Sequence, residues 1–198
     1  AMRHHMASFL APSLQVAMNE LSNHDHSRFL TRTNHKVGRV ANLGYEAASQ
    51  DINVAVMREA VVMQMTWPGA PTLYYGDEAG LCGWTDPDNR RAYPWGNEDK
   101  DLIEYHKVLI SLHKECQALK TGSIMFLHGG YNLICYGRFD EKDKVVVIIN
   151  RDEAEREIHI PVWRLGIKYQ SRMARIFRTD REGFFDETQM LSLIHISE

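Results

Sequence analysis

Asn23, His24 and Asp25 stand in a row, with Arg28 three residues beyond the aspartate. A carboxylate beside an imidazole can act on a hydroxyl-bearing substrate. The carboxylate accepts hydrogen bonds from hydroxyls and opposes a developing positive charge, and the imidazole donates. Arg28 can pair with a carboxylate in such a site and lower that group's pKa, or it can lie on the surface. The plain alternative for the pair is a turn aspartate next to a satisfied histidine. A second run, Gly69 to Glu78, sets Pro71, Tyr74 and Tyr75 ahead of Asp77 and Glu78, two acids that read as loop-shaping. A third, Asp86-Pro87-Asp88-Asn89-Arg90-Arg91, makes Asp86, Asp88 and Arg90 candidates for ligand contacts or for a hydrogen-bonded loop scaffold. Trp84, Tyr93 and Trp95 around it offer aromatic faces for stacking, although aromatics that pack a loop are commoner. His113 with Cys116, and His4 with His5, lack a third metal ligand.

These groups need elements to hold them. Ser8 to Glu20 reads as the end of a helix followed by a short strand, about Val16 to Leu21. Ser22 to Gly44 is a polar loop with Asn23, Asn34, Gly38, Asn42 and Gly44 as turn residues. Asp51 to Met65 has apolar residues at helical spacing, with Asp51 as the expected cap and Trp67-Pro68-Gly69 as the stop. Pro71 to Tyr75 reads as a short strand, Gly76 to Asp99 as a long loop, and Leu102 to Leu119 as a second helix. After Gly122 the period changes. Ser123–Phe126, Leu133–Arg138, Val145–Asn150, Glu157–Val162 and Met173–Arg178 are β-rich runs between Gly, Asp or Asn turns, with Asp140–Asp143 as a hairpin turn. A parallel strand–helix block therefore gives way near Leu119 to an antiparallel β region.

Composition excludes several classes. The 198 residues carry 23 Lys and Arg against 26 Asp and Glu, a net charge of -3 without a basic footprint for nucleic acid. No apolar run approaches the roughly 18 residues needed to cross a bilayer, and Ala1 to Leu10 has no signal-peptide pattern. Cys82, Cys116 and Cys135 form no close pair, which speaks for reduced thiols and a cytoplasmic setting.

At this order and spacing, Asn23-His24-Asp25, the Gly69–Glu78 run and Asp86–Arg91 with Pro94-Trp95 behind resemble the end of the catalytic barrel of the α-amylase family. The likeness is to its neopullulanase, cyclomaltodextrinase and α-glucosidase members, and it covers roughly Ala17 to Glu115. The resemblance implies an α/β chain, the C-terminal part of a (β/α)₈ TIM barrel followed by an all-β antiparallel sandwich. The expected divisions are 1–118, 119–190 and a last eight residues, 191–198, that look like a translated sequencing adaptor. It implies Asp25 as the catalytic acid that stabilises the transition state and His24 as its substrate-binding neighbour; Asn23, Arg28, Asp86, Asp88 and Arg90 stand beside them as candidates for binding substrate. The reaction would be retaining cleavage of α-glucosidic bonds, which uses a nucleophilic carboxylate and an acid/base carboxyl about 5–5.5 Å apart. Those two lie on the family's fourth and fifth strands, which have no counterpart here. The chain is thus expected to be a fragment, inactive alone, of a hydrolase of maltodextrins, starch-derived oligosaccharides or cyclodextrins. No cofactor or metal is called for. Calcium and a homodimer are conceivable only for the longer protein. The rival is a non-catalytic, carbohydrate-binding or interaction relative on the same barrel, since fold alone does not decide function.

Overall fold

Two kinds of strand pairing divide the chain, parallel in one unit and antiparallel in the other. The computed structural model describes residues 6–152, 157–168, 170–180, 183–185 and 189–190; the expected adaptor run 191–198 and His4-His5 lie outside them. One unit comprises residues 16–65 and 69–112, the other residues 1–15, 66–68 and 113–198.

In the first unit, β1 (Met18–Glu20) and β2 (Ala70–Thr72) pair in parallel, Met18 opposite Ala70 and Glu20 opposite Thr72. Parallel neighbours need a long crossover. Here it holds the short helical turns α2 (Phe29–Arg32) and α3 (Val40–Leu43), a 3₁₀ turn (Glu46–Ser49) and α4 (Val54–Thr66); α1 (Ala11–Gln15) precedes β1 and belongs to the other unit. The region expected to be plain loop thus contains helical turns. The cap of α4 also differs from expectation. Asn53 Oδ1 accepts the N–H of Val56 at 3.2 Å. Asp51, at a left-handed φ of 57°, instead meets Lys36 Nζ at 2.7 Å. Met57, Val61 and Met65 recur every fourth residue and are all buried. Gln64 lies on the same side, and its Nε2 donates to the carbonyls of Asn19 at 3.0 Å and Thr72 at 2.8 Å. One amide thereby ties the helix to both strands. Gly69 then turns the chain at a φ of 133°, where a Cβ would stand 2.6 Å from the Ala17 carbonyl oxygen, so only glycine fits.

Helix α5 (Lys100–Glu115) is capped by Asp99, whose Oδ1 accepts the Leu102 N–H at 2.9 Å. It buries Leu102, Tyr105, His106 and Leu109. The single helix expected to Leu119 is broken at Cys116, whose ψ of 113° is extended, and resumes as α6 (Gln117–Thr121).

In the second unit, β3 (Ser123–Gly129), β4 (Leu133–Phe139) and β5 (Lys144–Asn150) form an antiparallel sheet with β4 in the middle. Asp140 shapes the β4–β5 turn. Its Oδ1 accepts the N–H groups of Asp143 at 2.7 Å and Lys142 at 2.8 Å, which hold its carboxyl below the usual range. Leu127, Cys135 and Leu165 form a buried cluster, and burial pushes the Cys135 thiol up to about 11. Trp67 meets Tyr136 and Phe126 edge-on at 5.2 and 5.7 Å between centroids. The run expected as a strand over Glu157–Val162 is not one. Pro161 has no N–H to give a ladder, and Val162–Leu165 wind into a 3₁₀ turn. The expected Met173–Arg178 strand is two short ones: β6 (Ala174–Arg175) pairs with β9 (Gln189–Met190), and β7 (Arg178–Thr179) with β8 (Phe184–Phe185).

Candidate functional site

Loops that leave the C-terminal ends of parallel strands are where barrel sites are built. Residues 21–28 leave β1 in that way, and residues 73–99 leave β2. The two loops are laced together. The Arg28 N–H donates to the Gly83 carbonyl at 2.9 Å, and the Gly83 N–H donates back to Thr31 Oγ1 at 2.9 Å. The fit depends on glycine: a Cβ at residue 83 would lie 2.6 Å from the Asp88 carbonyl oxygen.

On the first loop Asn23 forms an Asx turn. Its Oδ1 accepts the N–H groups of Asp25 at 2.9 Å and His26 at 3.2 Å, and its Nδ2 donates to Glu20 Oε1 at 2.7 Å. This turn pushes the next two side chains outward. His24 is 62% and Asp25 70% exposed, with Nε2 and Oδ1 3.4 Å apart. Both are free to meet a ligand.

Arg28 points the other way and is fully buried. Its Nε donates to the Asn89 carbonyl at 2.8 Å, and its Nη1 to the Tyr75 carbonyl at 2.5 Å and to Asp77 Oδ1 at 3.0 Å. The guanidinium also lies 4.0 Å from the Tyr74 ring centre and 4.7 Å from that of Tyr75. Burial raises the Asp77 carboxyl above its ordinary value, and hydrogen bonds from Ser22 and Arg28 oppose the shift.

Asp88 is buried as well. It accepts the Trp84 N–H at 2.8 Å and a two-pronged contact from Arg91 at 2.9 and 2.8 Å. Trp84 is buried, its Nε1 donating to the Gly44 carbonyl at 3.0 Å, so it packs the loop. Trp95 is 79% exposed and stands 4.5 Å from Tyr93 between ring centres. Asp86 and Arg90 form an ion pair at the surface. Arg90 Nη2 also reaches the His24 carbonyl at 3.5 Å, and its pKa is raised chiefly by the Asp86 hydrogen bond, with the Asp25 charge adding to it.

Of the residues singled out in the sequence, the structure brings Asn23, His24, Asp25, Asp86 and Arg90 together around one turn. It turns Arg28 and Asp88 inward, where Arg28 Nε and Nη1 and both Asp88 carboxylate oxygens are engaged by protein. Nothing in the sequence singles out Asn89: an asparagine in a polar loop reads as a turn residue, and only its burial sets it apart. Among the described residues no three His, Cys, Asp or Glu side chains are grouped to hold a metal ion.

A parallel strand pair with a crossover helix, and an exposed His-Asp turn at the C-terminal end of the first strand, make an α/β unit carrying polar groups at its loop end. The α-amylase catalytic-domain family matches residues 2–124, and the chain belongs to that family. It is 36% identical over 156 residues to an amylopullulanase of Thermoanaerobacter thermohydrosulfuricus, covering 73% of this chain and 10% of that protein. It is 34% identical over 152 residues to a cyclomaltodextrinase of Geobacillus thermopakistaniensis, covering 75% of this chain and 23% of the relative. A solved cyclomaltodextrinase superposes with a TM-score of 0.68 at 30% identity, over 86% of this chain and 27% of that one. The chain thus spans between a tenth and about a quarter of the length of these relatives.

Proposed function

We propose that the chain is a C-terminal segment of a retaining glycoside hydrolase that cleaves α-glucosidic bonds in maltodextrins, starch-derived oligosaccharides or cyclodextrins. The observation that carries this reading is the exposed Asp25 carboxylate, held on a hydrogen-bonded turn at the end of β1 with His24 beside it. The names of the relatives point to the same substrates. Asp25 accepts hydrogen bonds from sugar hydroxyls, and its negative charge opposes the positive charge of the oxocarbenium-like transition state. His24 donates to a neighbouring hydroxyl. Arg90 and Asp86 border the same surface, whereas Arg28 and Asp88 act by holding the loops.

The bond change itself needs two further carboxyls. A nucleophile attacks the anomeric carbon, and an acid gives its proton to the departing glycosidic oxygen. In this reading both come from preceding strands of a longer protein, and the 198 residues alone are inactive. The matching proteins continue well beyond the aligned region, which supports a longer parent. The division into a barrel end, 1–118, and an incomplete β sandwich, 119–190, belongs to this reading. So does a cytoplasmic setting, consistent with three free cysteines.

The test is hydrolysis of maltohexaose and β-cyclodextrin by the longer protein and by its Asp25→Asn variant. The wild type should turn over, with kcat falling about 10²–10³-fold in the variant, the usual scale for losing one transition-state contact. Binding of either sugar with no turnover by the wild type would favour a non-catalytic relative.

A further inference from the structure

The loops of the parallel unit converge on one side chain that plays no part in the scheme above. Asn89 is completely buried. Its Nδ2 donates to the carbonyl oxygens of Asn23 at 3.2 Å and His26 at 2.8 Å, the residues on either side of His24-Asp25. Its own carbonyl accepts from Arg28 Nε at 2.8 Å. Its Oδ1 is buried and takes no hydrogen bond.

This asymmetry is informative. A carboxamide can donate twice and accept twice. Turned over, Asn89 would set an oxygen against two carbonyls, so its neighbours fix its orientation. An apolar side chain of similar shape would fill the space without leaving a buried acceptor unsatisfied. The two donated bonds are what this site draws from asparagine. They seize the turn from outside, while Asn23 Oδ1 closes it from inside through the N–H groups of Asp25 and His26.

We propose that Asn89 is a positioning residue: by gripping the carbonyls of Asn23 and His26, it fixes the turn that carries His24 and Asp25 and so sets where the Asp25 carboxylate stands. This rests on the reading of Asp25 as the acid that stabilises the transition state. Asn89 touches no substrate and acts through the aspartate. A misplacement of about 1 Å at a reacting group lowers the rate about 10²-fold, so loosening this grip should be visible in turnover.

The experiment is a double-mutant cycle in the longer enzyme, with maltohexaose as substrate. Asn89→Leu should lower kcat about 100-fold with KM within about 3-fold, and Asn89→Ser, which keeps one donor, should lower it about 10-fold. In an Asp25→Asn background the same changes should alter kcat by less than about 3-fold, because the group they act through is gone. Asn89→Leu within about 3-fold of wild type, or an equal loss in both backgrounds, would overturn the proposal. Should Asn89→Leu fail to fold, Asn89→Ser carries the cycle on the same criteria. Wild-type turnover by Asp25→Asn would sink the Asp25 reading instead. The grip is then read from amide hydrogen exchange at Asp25 and His26, which should quicken about tenfold or more in Asn89→Ser; unchanged exchange rejects it.

Discussion

Each of the two units buries an arginine, and the two are treated in opposite ways. In the parallel unit Arg28 has a carboxylate, Asp77, at 3.0 Å, two tyrosine faces and two backbone carbonyls. In the antiparallel unit Arg138 takes carbonyls alone, Thr66 at 2.6 Å and Gly122 at 3.0 Å, and among the described residues no carboxylate pairs with it. Burial without an anion pulls Arg138 down to about 10. Arg28 belongs to a polar network that gives the loops their shape, whereas Arg138 satisfies carbonyls at chain turns inside an otherwise apolar core. A buried charge therefore specifies a loop in one unit and closes off backbone in the other.

Removing each arginine should separate these roles. Arg28→Met leaves Asp77 as an uncompensated buried charge and strips donors from the carbonyls of Tyr75 and Asn89. Breaking a buried pair from one side costs about 3–5 kcal/mol, and urea unfolding of the chain should show a loss of that size. Arg138→Met strands two carbonyls but also ends the burial of an unpaired guanidinium, so a smaller loss, about 1–2 kcal/mol, is expected. Equal losses would erase the distinction between the two units. Adding Asp77→Asn to Arg28→Met should restore part of the stability, because the stranded charge is then gone too.

Acid sensitivity should likewise sit in the parallel unit. His106 is buried in α5, its Nδ1 is 2.7 Å from the Leu102 carbonyl, and burial lowers its pKa from 6.5. A histidine with a lowered folded pKa binds its proton more readily in the unfolded chain. Stability is then lost as pH falls through 6.5 toward the folded value, by up to about 1.4 kcal/mol per pH unit. Asp77 works the other way. Its pKa is raised on folding from 3.8, so the folded state holds the extra proton and gains stability as pH falls from the raised value toward 3.8. In His106→Leu the loss below pH 6.5 should flatten, and in Asp77→Asn the loss at the acid end, toward pH 3.8, should steepen. The buried groups of the sheet titrate far from here: burial raises Tyr136 to about 12 and Cys135 to about 11. A slope unchanged in His106→Leu would show that the acid response arises elsewhere.

The same contrast explains what could be read from the chain. Helices α4 and α5 and strands β3, β4 and β5 were legible because their apolar spacing is local. The Asp140 turn was legible because an aspartate closes it within three residues. The His24-Asp25 turn was visible as residue types in a row. Its supports were not, because Arg28 reaches Asp77 and Asn89 reaches Asn23 and His26 across long sequence separations. Nothing local distinguishes an arginine that reaches a sugar from one sealed beneath two tyrosines. Glu157–Val162 misled for another reason: alternation is a necessary pattern for a strand, but Pro161 denies the ladder a donor.

The cap of α4 is the smallest of these effects and tests whether polar groups in the parallel unit matter by position rather than by charge. Asp51 carries the charge and the residue type expected of a cap, yet its carboxylate is 75% exposed and meets Lys36. Asn53, uncharged and two residues later, accepts the Val56 N–H and occupies the N-cap geometry. An N-cap side chain truncated to alanine costs typically about 1 kcal/mol, because a backbone N–H loses its acceptor. An exposed ion pair contributes little, since water and salt screen it. Asn53→Ala should therefore lower the stability of the chain by about 1 kcal/mol, and Asp51→Ala by less than about 0.5 kcal/mol, both read from urea midpoints at constant slope. Raising the salt should leave the Asn53→Ala difference unchanged and shrink whatever Asp51→Ala shows, because only the second depends on charge. If Asp51→Ala cost more, the helix would begin earlier in solution, and Asp51 would hold its first turn as its residue type suggests.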